Sequence, residues 1–285
     1  MNTVDFLSIG HCCHDKTENG LILGGSVSYS SIIAAELGRE VSLISSVGDD
    51  FLFHNVFKNK SIQFYNVPAK ETTVFENVYN NNSRIQYIHS RANTITKYDI
   101  PPSLLDVPVV LIGSISREID FDLVSCFTKS LKGAIIQGEM RTWDESGLIS
   151  SAPMDWELLR DLDLVFISDD DMMGMEDFLP NIISRVNQVI LTHAENGATI
   201  YKDGKEYFFP SYKVNPIDST GAGDAYSTAY LIKYAETKNV QISAVFAHCA
   251  ASIIIEDVGL ENVEALMNIE ERVEDYLKRF PNKEE

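Results

Sequence analysis

The chain has 285 residues, 45% of them hydrophobic and 23% charged, with a formal net charge of −19. That length holds one large α/β domain or two small ones. The acidity argues against a nucleic-acid binder, whose affinity comes from neutralising phosphates, and no run of about 18 apolar residues offers a membrane span. The first residues, Met1-Asn2-Thr3-Val4-Asp5, lack a basic segment and a long apolar core. No signal peptide is therefore expected, and the cytosol is the expected compartment. Cys12, Cys13, Cys126 and Cys249 contain no CxxC pair, so reduced thiols are expected.

In chain order, Phe6–Gly10 predicts a buried strand. His11-Cys12-Cys13-His14 follows it. Adjacent residues at a strand end face opposite ways, which argues against one shared metal ion. A helix is predicted over Ser28–Leu37 and a strand over Val41–Val47. Thr72–Ala92 then reads as two alternating strands around Asn80-Asn81-Asn82-Ser83, a β-hairpin suited to a lid or an interface at about residues 71–93. Strands over Val109–Ile115, Ala134–Ile136, Leu164–Ile167 and Val189–Thr192 alternate with helical patterns over Phe121–Lys132, Trp156–Leu162 and Met175–Val186. From Ala225 the chain reads as mostly helical, and the polar tail Lys278–Glu285 is expected to fray. The predicted architecture is one α/β domain over residues 1–285: a mainly parallel, doubly wound sheet with helices on both faces and a small β lid. Ligands of such sheets bind at the carboxyl ends of the strands.

The most informative stretch is Asp218-Ser219-Thr220-Gly221-Ala222-Gly223-Asp224, between a predicted strand over Tyr207–Val214 and a helix starting near Ala222. Two glycines one residue apart let several N–H groups converge at the positive end of a helix dipole, which suits an anion. An aspartate directly after such a pocket can take the proton from a hydroxyl attacking a bound phosphate. Phosphoryl transfer to an alcohol is the local reading; a glycine turn with a capping aspartate is the plainer one. No GxxxxGK[ST] occurs, and the third glycine of a dinucleotide fingerprint is missing.

Together with Gly24-Gly25 before a helix ending at Leu37-Gly38, Val47-Gly48-Asp49-Asp50, and Thr192 to Gly197, this stretch resembles the ribokinase/PfkB family of carbohydrate kinases, whose signature reads D-T-x-G-A-G-D. The resemblance runs along nearly the whole chain and implies the ribokinase-like fold, ATP as donor and Mg²⁺. It assigns Asp224 as the general base, which its place at a helix N-terminus should keep ionised at neutral pH, and the N–H groups of Gly221, Ala222 and Gly223 to the transferring phosphoryl group. Asp15 would hold acceptor hydroxyls, with Gly24 and Gly25 allowing close approach. Ser168, Thr192 and Gly197 would lie near the nucleotide, Asp171 would hold Mg²⁺ through water, and Asp218 with the Thr220 carbonyl would bind a monovalent cation such as K⁺.

Four positions depart from the family pattern: Ser219 for threonine, Tyr29 for a common asparagine in the acceptor pocket, Ala194 for a glycine, and Gln137-Gly138-Glu139-Met140-Arg141 for D-x-N-x-R. Arg141 and Glu139 are candidates for the acceptor, against the plainer reading of a strand-end ion pair. The Gln-Gly-x-x-Arg pattern, and Thr-Thr-Val-Phe-Glu-Asn-Val-Tyr followed by Arg84 and Gln86, look like the inositol-kinase-like members. The implied acceptor is a sugar or a neutral cyclic polyol, with myo-inositol favoured. The alternatives are a nucleoside or vitamin-precursor kinase, and a non-catalytic binding protein on the same fold. A monomer, or a homodimer through the lid, is the expected state.

Overall fold

The computed structural model describes residues 4–80 and 83–281. Asn81 and Asn82 of the predicted turn, and the last four residues of the predicted tail, lie outside the described residues. The chain opens with β1 (Phe6–Ile9), β2 (Cys13–Thr17), β3 (Gly20–Gly24), α1 (Ser26–Glu36), β4 (Val41–Val47) and α2 (His54–Asn59). It continues through β5 (Gln63–Pro68), β6 (Thr73–Asn80), β7 (Ser83–Ser90), β8 (Val109–Gly113) and β9 (Leu131–Ile135). Next come β10 (Arg141–Trp143), β11 (Ile149–Ser151), β12 (Leu164–Ser168), α3 (Asp169–Met172) and α4 (Leu179–Ile183). The last third holds β13 (Gln188–Thr192), β14 (Ala198–Lys202), β15 (Lys205–Phe209), α5 (Ala222–Thr237), α6 (Val240–Ile254) and α7 (Ile269–Arg279).

The main sheet has the order β15-β14-β13-β12-β9-β8-β1-β4-β5. Neighbours from β5 to β13 are parallel; β14 and β15 join antiparallel at one edge. Residue alternation feeds two cores. Phe6, Leu43, Leu111, Phe166 and Ile190 pack under α1, α5, α6 and α7. Leu7, Ile9, Ile44, Val110 and Val165 pack on the opposite face. That second face is covered by short pieces: α3, α4 and 3-10 turns at Phe121–Cys126 and Trp156–Leu159.

These short pieces replace the longer helices that the sequence predicts. Asp120 accepts from the Asp122 N–H and the Ser125 hydroxyl donates to the Asp122 carbonyl, so side chains compete for backbone groups a helix would use. The Asp155 carboxylate does the same with the Glu157 N–H. Pro180 restarts the helix over Leu179–Ile183 and splits the predicted Met175–Val186. The strand predicted to Val214 ends at Phe209 because Pro210 has no N–H to continue the ladder.

The lid is larger than the predicted hairpin. It is a four-stranded sheet in the order β3-β2-β6-β7, with β2 parallel to β6 and the other pairs antiparallel. The overlooked half turns at Glu18-Asn19 between paired Thr17 and Gly20. The Asn19-Gly20 pair at that turn is a short-range hairpin signal.

A buried polar knot holds the lid's root. The Glu118 carboxylate accepts from the N–H groups of His11 (3.1 Å), Ile115 (3.0 Å) and Ser116 (2.6 Å). The His11 Nε2–H donates to the Asn93 carbonyl (2.8 Å), which leaves Nδ1 to accept from the Thr73 hydroxyl (2.8 Å). Burial holds the His11 ring below its ordinary pKa, consistent with that neutral tautomer. The His14 ring accepts from the Leu52 N–H and stacks on Phe51, so the two histidines serve different contacts. Glu118→Ala orphans several buried N–H groups at once, and should cost about 3–5 kcal/mol, read as a lower urea midpoint with unchanged slope.

Candidate active site

A cleft of about 810 Å³ opens where the lid, the carboxyl ends of β12 and β13 and the N-terminus of α5 meet. Of the residues singled out in the sequence, Asp15, Gly25, Tyr29, Arg141, Ser168, Asp171, Thr192, Thr220, Gly221, Gly223 and Asp224 line it. Gly24, Glu139, Gly197, Asp218 and Ala222 do not.

The glycine loop is held from below. The Asp218 carboxylate accepts from the Thr220 N–H (2.9 Å) and from the Gly259 N–H (3.0 Å). These bonds outweigh burial and keep the Asp218 pKa below its usual value. Gly221 caps α5 with φ at +79°, a region that favours glycine. A Cβ there would stand 2.4 Å from the Tyr29 ring. Tyr29 is therefore a wall beneath the loop as well as part of the cleft lining. The Ala222 N–H donates to the Ser219 carbonyl at 3.2 Å, closing the turn. The next amides belong to the first turn of an α-helix, which has no intrahelical acceptors for them.

Asp224 stands in that first turn, half-buried at the cleft wall. Loss of water around its carboxyl pushes its pKa up to about 7, against the pull of the Ser26 hydroxyl and the Arg141 charge. The helix N-terminus alone predicts an ionised group; the cleft walls shift it to the edge of protonation at neutral pH. A base poised there is well matched to proton abstraction.

On the lid, strand alternation turns Cys13, Asp15 and Thr17 toward the cleft. Asp15 faces Ile22 on β3 and Phe75 on β6. Gly24 contributes space: a Cβ there would lie 2.3 Å from the Asp15 carboxylate. Across the cleft, Arg141 donates to the Ile115 carbonyl (2.9 Å) and to Gln137 Oε1 (2.7 Å), with its guanidinium 5.6 Å from the Phe75 ring centre. Gln137 Nε2 in turn donates to Asp171 (2.7 Å). Gln137 thus ties Arg141 to Asp171 across the cleft. Glu139 is turned away, buried against the Ser114 hydroxyl at 2.5 Å. Burial pushes its pKa up to about 7.

Ser168, Asp171, Thr192, Ser219, Thr220, Gly223 and Ser227 line the part of the cleft between β12, β13 and the start of α5, with no lysine or arginine among them. Asp171 forms a capping box with Ser168, accepting from its N–H (3.1 Å) and hydroxyl (2.7 Å). Among the described residues no cluster of three or more His, Cys, Asp or Glu side chains forms a metal cage. One carboxylate beside a phosphate pocket suits Mg²⁺, which keeps its waters and binds mainly through substrate phosphates. Gly197 sits in the turn after β13, against the Phe209 carbonyl rather than in the cleft. Sequence reasoning did not single out Ser26, Phe75 or Ser227. Ser26 was within reach, as the residue after Gly24-Gly25.

An anion pocket at a helix start, a poised carboxyl beside it and a lid above define a phosphotransferase with an alcohol acceptor. The model for the pfkB family carbohydrate kinases matches residues 159–265. The inositol 3-kinase of Arabidopsis thaliana is 25% identical over 297 residues, covering 96% of this chain and 79% of that protein. The nucleoside kinase of Methanocaldococcus jannaschii is 22% identical, covering 89% of this chain and 86% of its own length. Among solved structures, a pyrophosphate-dependent kinase in the ribokinase family, complexed with a pyrophosphate analogue and myo-inositol, superposes with a TM-score of 0.76 at 20% identity, covering 89% and 96% of the two chains. Ribokinase from Thermotoga maritima gives 0.75 at 18% identity, covering 96% and 99%. The chain thus matches the pfkB family over part of its length and shares the ribokinase fold.

Proposed function

We propose that the protein transfers the γ-phosphoryl group of ATP to a hydroxyl of a neutral cyclic polyol, with myo-inositol the favoured acceptor. The charge of the cleft carries this reading. Asp15, Glu18, Glu76, Asp171 and Asp224 line it against Lys16 and Arg141, and Lys16 already pairs with Glu76 at 3.2 Å. A phosphorylated acceptor needs a cationic cluster; a ring of hydroxyls needs carboxylates that accept hydrogen bonds. The inositol 3-kinase among the relatives, and the similar fold complexed with myo-inositol, support the same choice.

Asp15 accepts from neighbouring hydroxyls and holds the ring under the lid. Asp224 accepts the proton of the attacking hydroxyl. The N–H groups at the start of α5, those of Gly221 and Gly223 above all, meet the charge on the transferring phosphoryl oxygens. Asp171, through water, and the donor phosphates would hold Mg²⁺, which neutralises charge on the donor. The lid excludes water and so limits donor hydrolysis.

Donor consumption is measured across polyols, sugars, sugar phosphates and nucleosides, with ATP and pyrophosphate in parallel because similar folds use pyrophosphate. Turnover confined to neutral polyols with ATP is the expected result. A nucleoside as the single active acceptor, or turnover with pyrophosphate alone, replaces the corresponding half of the proposal. Donor binding with no turnover supports the non-catalytic reading. Replacing K⁺ by tetramethylammonium in the same assay tests a cation at Asp218 and Thr220. Light scattering distinguishes a monomer from a dimer joined through the lid, and fractionation tests the cytoplasm as the compartment.

A further inference from the structure

The hairpin of β10 and β11 stands outside the main sheet. Its turn is knitted by Asp144, whose Oδ1 accepts from the N–H groups of Ser146 (2.8 Å) and Leu148 (3.0 Å). The turn's tip docks on the outer edge of lid strand β7. The Ile88 N–H donates to the Gly147 carbonyl at 2.9 Å, and Tyr87 bridges Leu148 antiparallel. Gly147 has φ at +82°, and a Cβ there would stand 2.2 Å from the Ile88 carbonyl oxygen. Beneath this contact lies a small separate core of Cys13, Phe75, Ile88 and Ile115, with Trp143 and Ile149 of the hairpin packed on it.

The root of the same hairpin is Arg141. Its guanidinium is bonded to Ile115 and Gln137 of the main domain and lies over Phe75 of the lid. One short element therefore grips the lid's edge at its tip and carries the cleft's arginine at its base. We infer that the β10–β11 hairpin is a positioning element of the reaction: it registers the lid on Arg141, so acceptor affinity depends on the contact between Gly147 and Ile88. The inference rests on the acceptor lying under the lid, as proposed above.

Gly147→Ala forces the turn and β7 apart. Gly204→Ala is the control. It has a similar φ of +71°, in the turn between β14 and β15, with nothing within 4 Å of its Cβ. Acceptor KM should rise about tenfold or more in Gly147→Ala, with donor KM unchanged and Gly204→Ala close to wild type. Amide exchange in β6 and β7 should rise in Gly147→Ala alone. Trp143→Ala loosens the same core without backbone strain and should raise acceptor KM in the same way, which covers a Gly147→Ala chain that does not fold. An acceptor KM equal to that of Gly204→Ala, with exchange showing the contact broken, overturns the inference. So does unchanged exchange in β6, and that readout needs no acceptor. A wild type silent toward every acceptor counts against the polyol-kinase reading instead.

Discussion

Asp224→Asn should lower turnover by at least ~10²-fold, the usual scale for losing a general base, while donor binding survives. With its pKa pushed up to about 7, Asp224 makes acceptor kcat/KM of the wild type climb about tenfold per pH unit below that value and level off above it. The stability effect has the opposite sign. A carboxyl whose folded pKa exceeds its unfolded value binds its proton more tightly when folded. Folding therefore loses stability as pH rises from about 4 through about 7. Asp224→Asn removes that burden. Its Tm should exceed the wild-type Tm by a few degrees at pH 8, and the gap should close toward pH 4. A variant that loses activity and is also less stable at pH 8 would contradict the desolvated carboxyl.

The two glycines of the anion loop should respond differently to one methyl group. At Gly221 a Cβ meets the Tyr29 ring at 2.4 Å and the backbone is left-handed, so Gly221→Ala must move the loop. Turnover should fall about 10²–10³-fold, the scale of losing an oxyanion donor, and Tm should drop as well. At Gly223 nothing lies within 4 Å of the added Cβ, and the residue lies within α5. Gly223→Ala should therefore gain about 0.5–1 kcal/mol of stability, yet weaken donor use because the methyl enters the cleft. Urea melts paired with initial rates against donor concentration separate the two. Equal loss of stability in both variants would show that the loop, not Tyr29, sets the constraint.

How much was legible depended on whether the signal was local. The glycine loop could be read because two glycines and an acid at fixed spacing state a backbone geometry without help from elsewhere. The main sheet could be read because its strands β1, β4 and β8 are rich in Val, Ile and Leu and are buried at every position. The β2–β3 half of the lid carried only the short Asn19-Gly20 signal at its turn. His14, Asp15, Lys16 and Thr17 are polar for a reason visible only after folding: Asp15, Lys16 and Thr17 line the cleft, and the buried His14 ring accepts from the Leu52 N–H. Glu139 was placed on the acceptor by its position after a strand. A 3-10 turn over Gln137–Met140 instead presents Gln137 to the cleft and swings Glu139 onto Ser114. Helix content on the second face was overread because periodicity does not show where aspartates and Pro180 break the ladder.

The lid is spliced from two stretches of chain that join side by side where Cys13 meets Thr73, with α1, β4 and β5 running between them. Neither stretch closes a sheet by itself. During folding, the parallel seam can form only after the intervening elements have brought its halves together, which puts the lid among the last parts to gain protection. The same seam constrains change over generations. A new acceptor preference cannot be imported by exchanging one loop, because both stretches must be exchanged together or the seam loses its register.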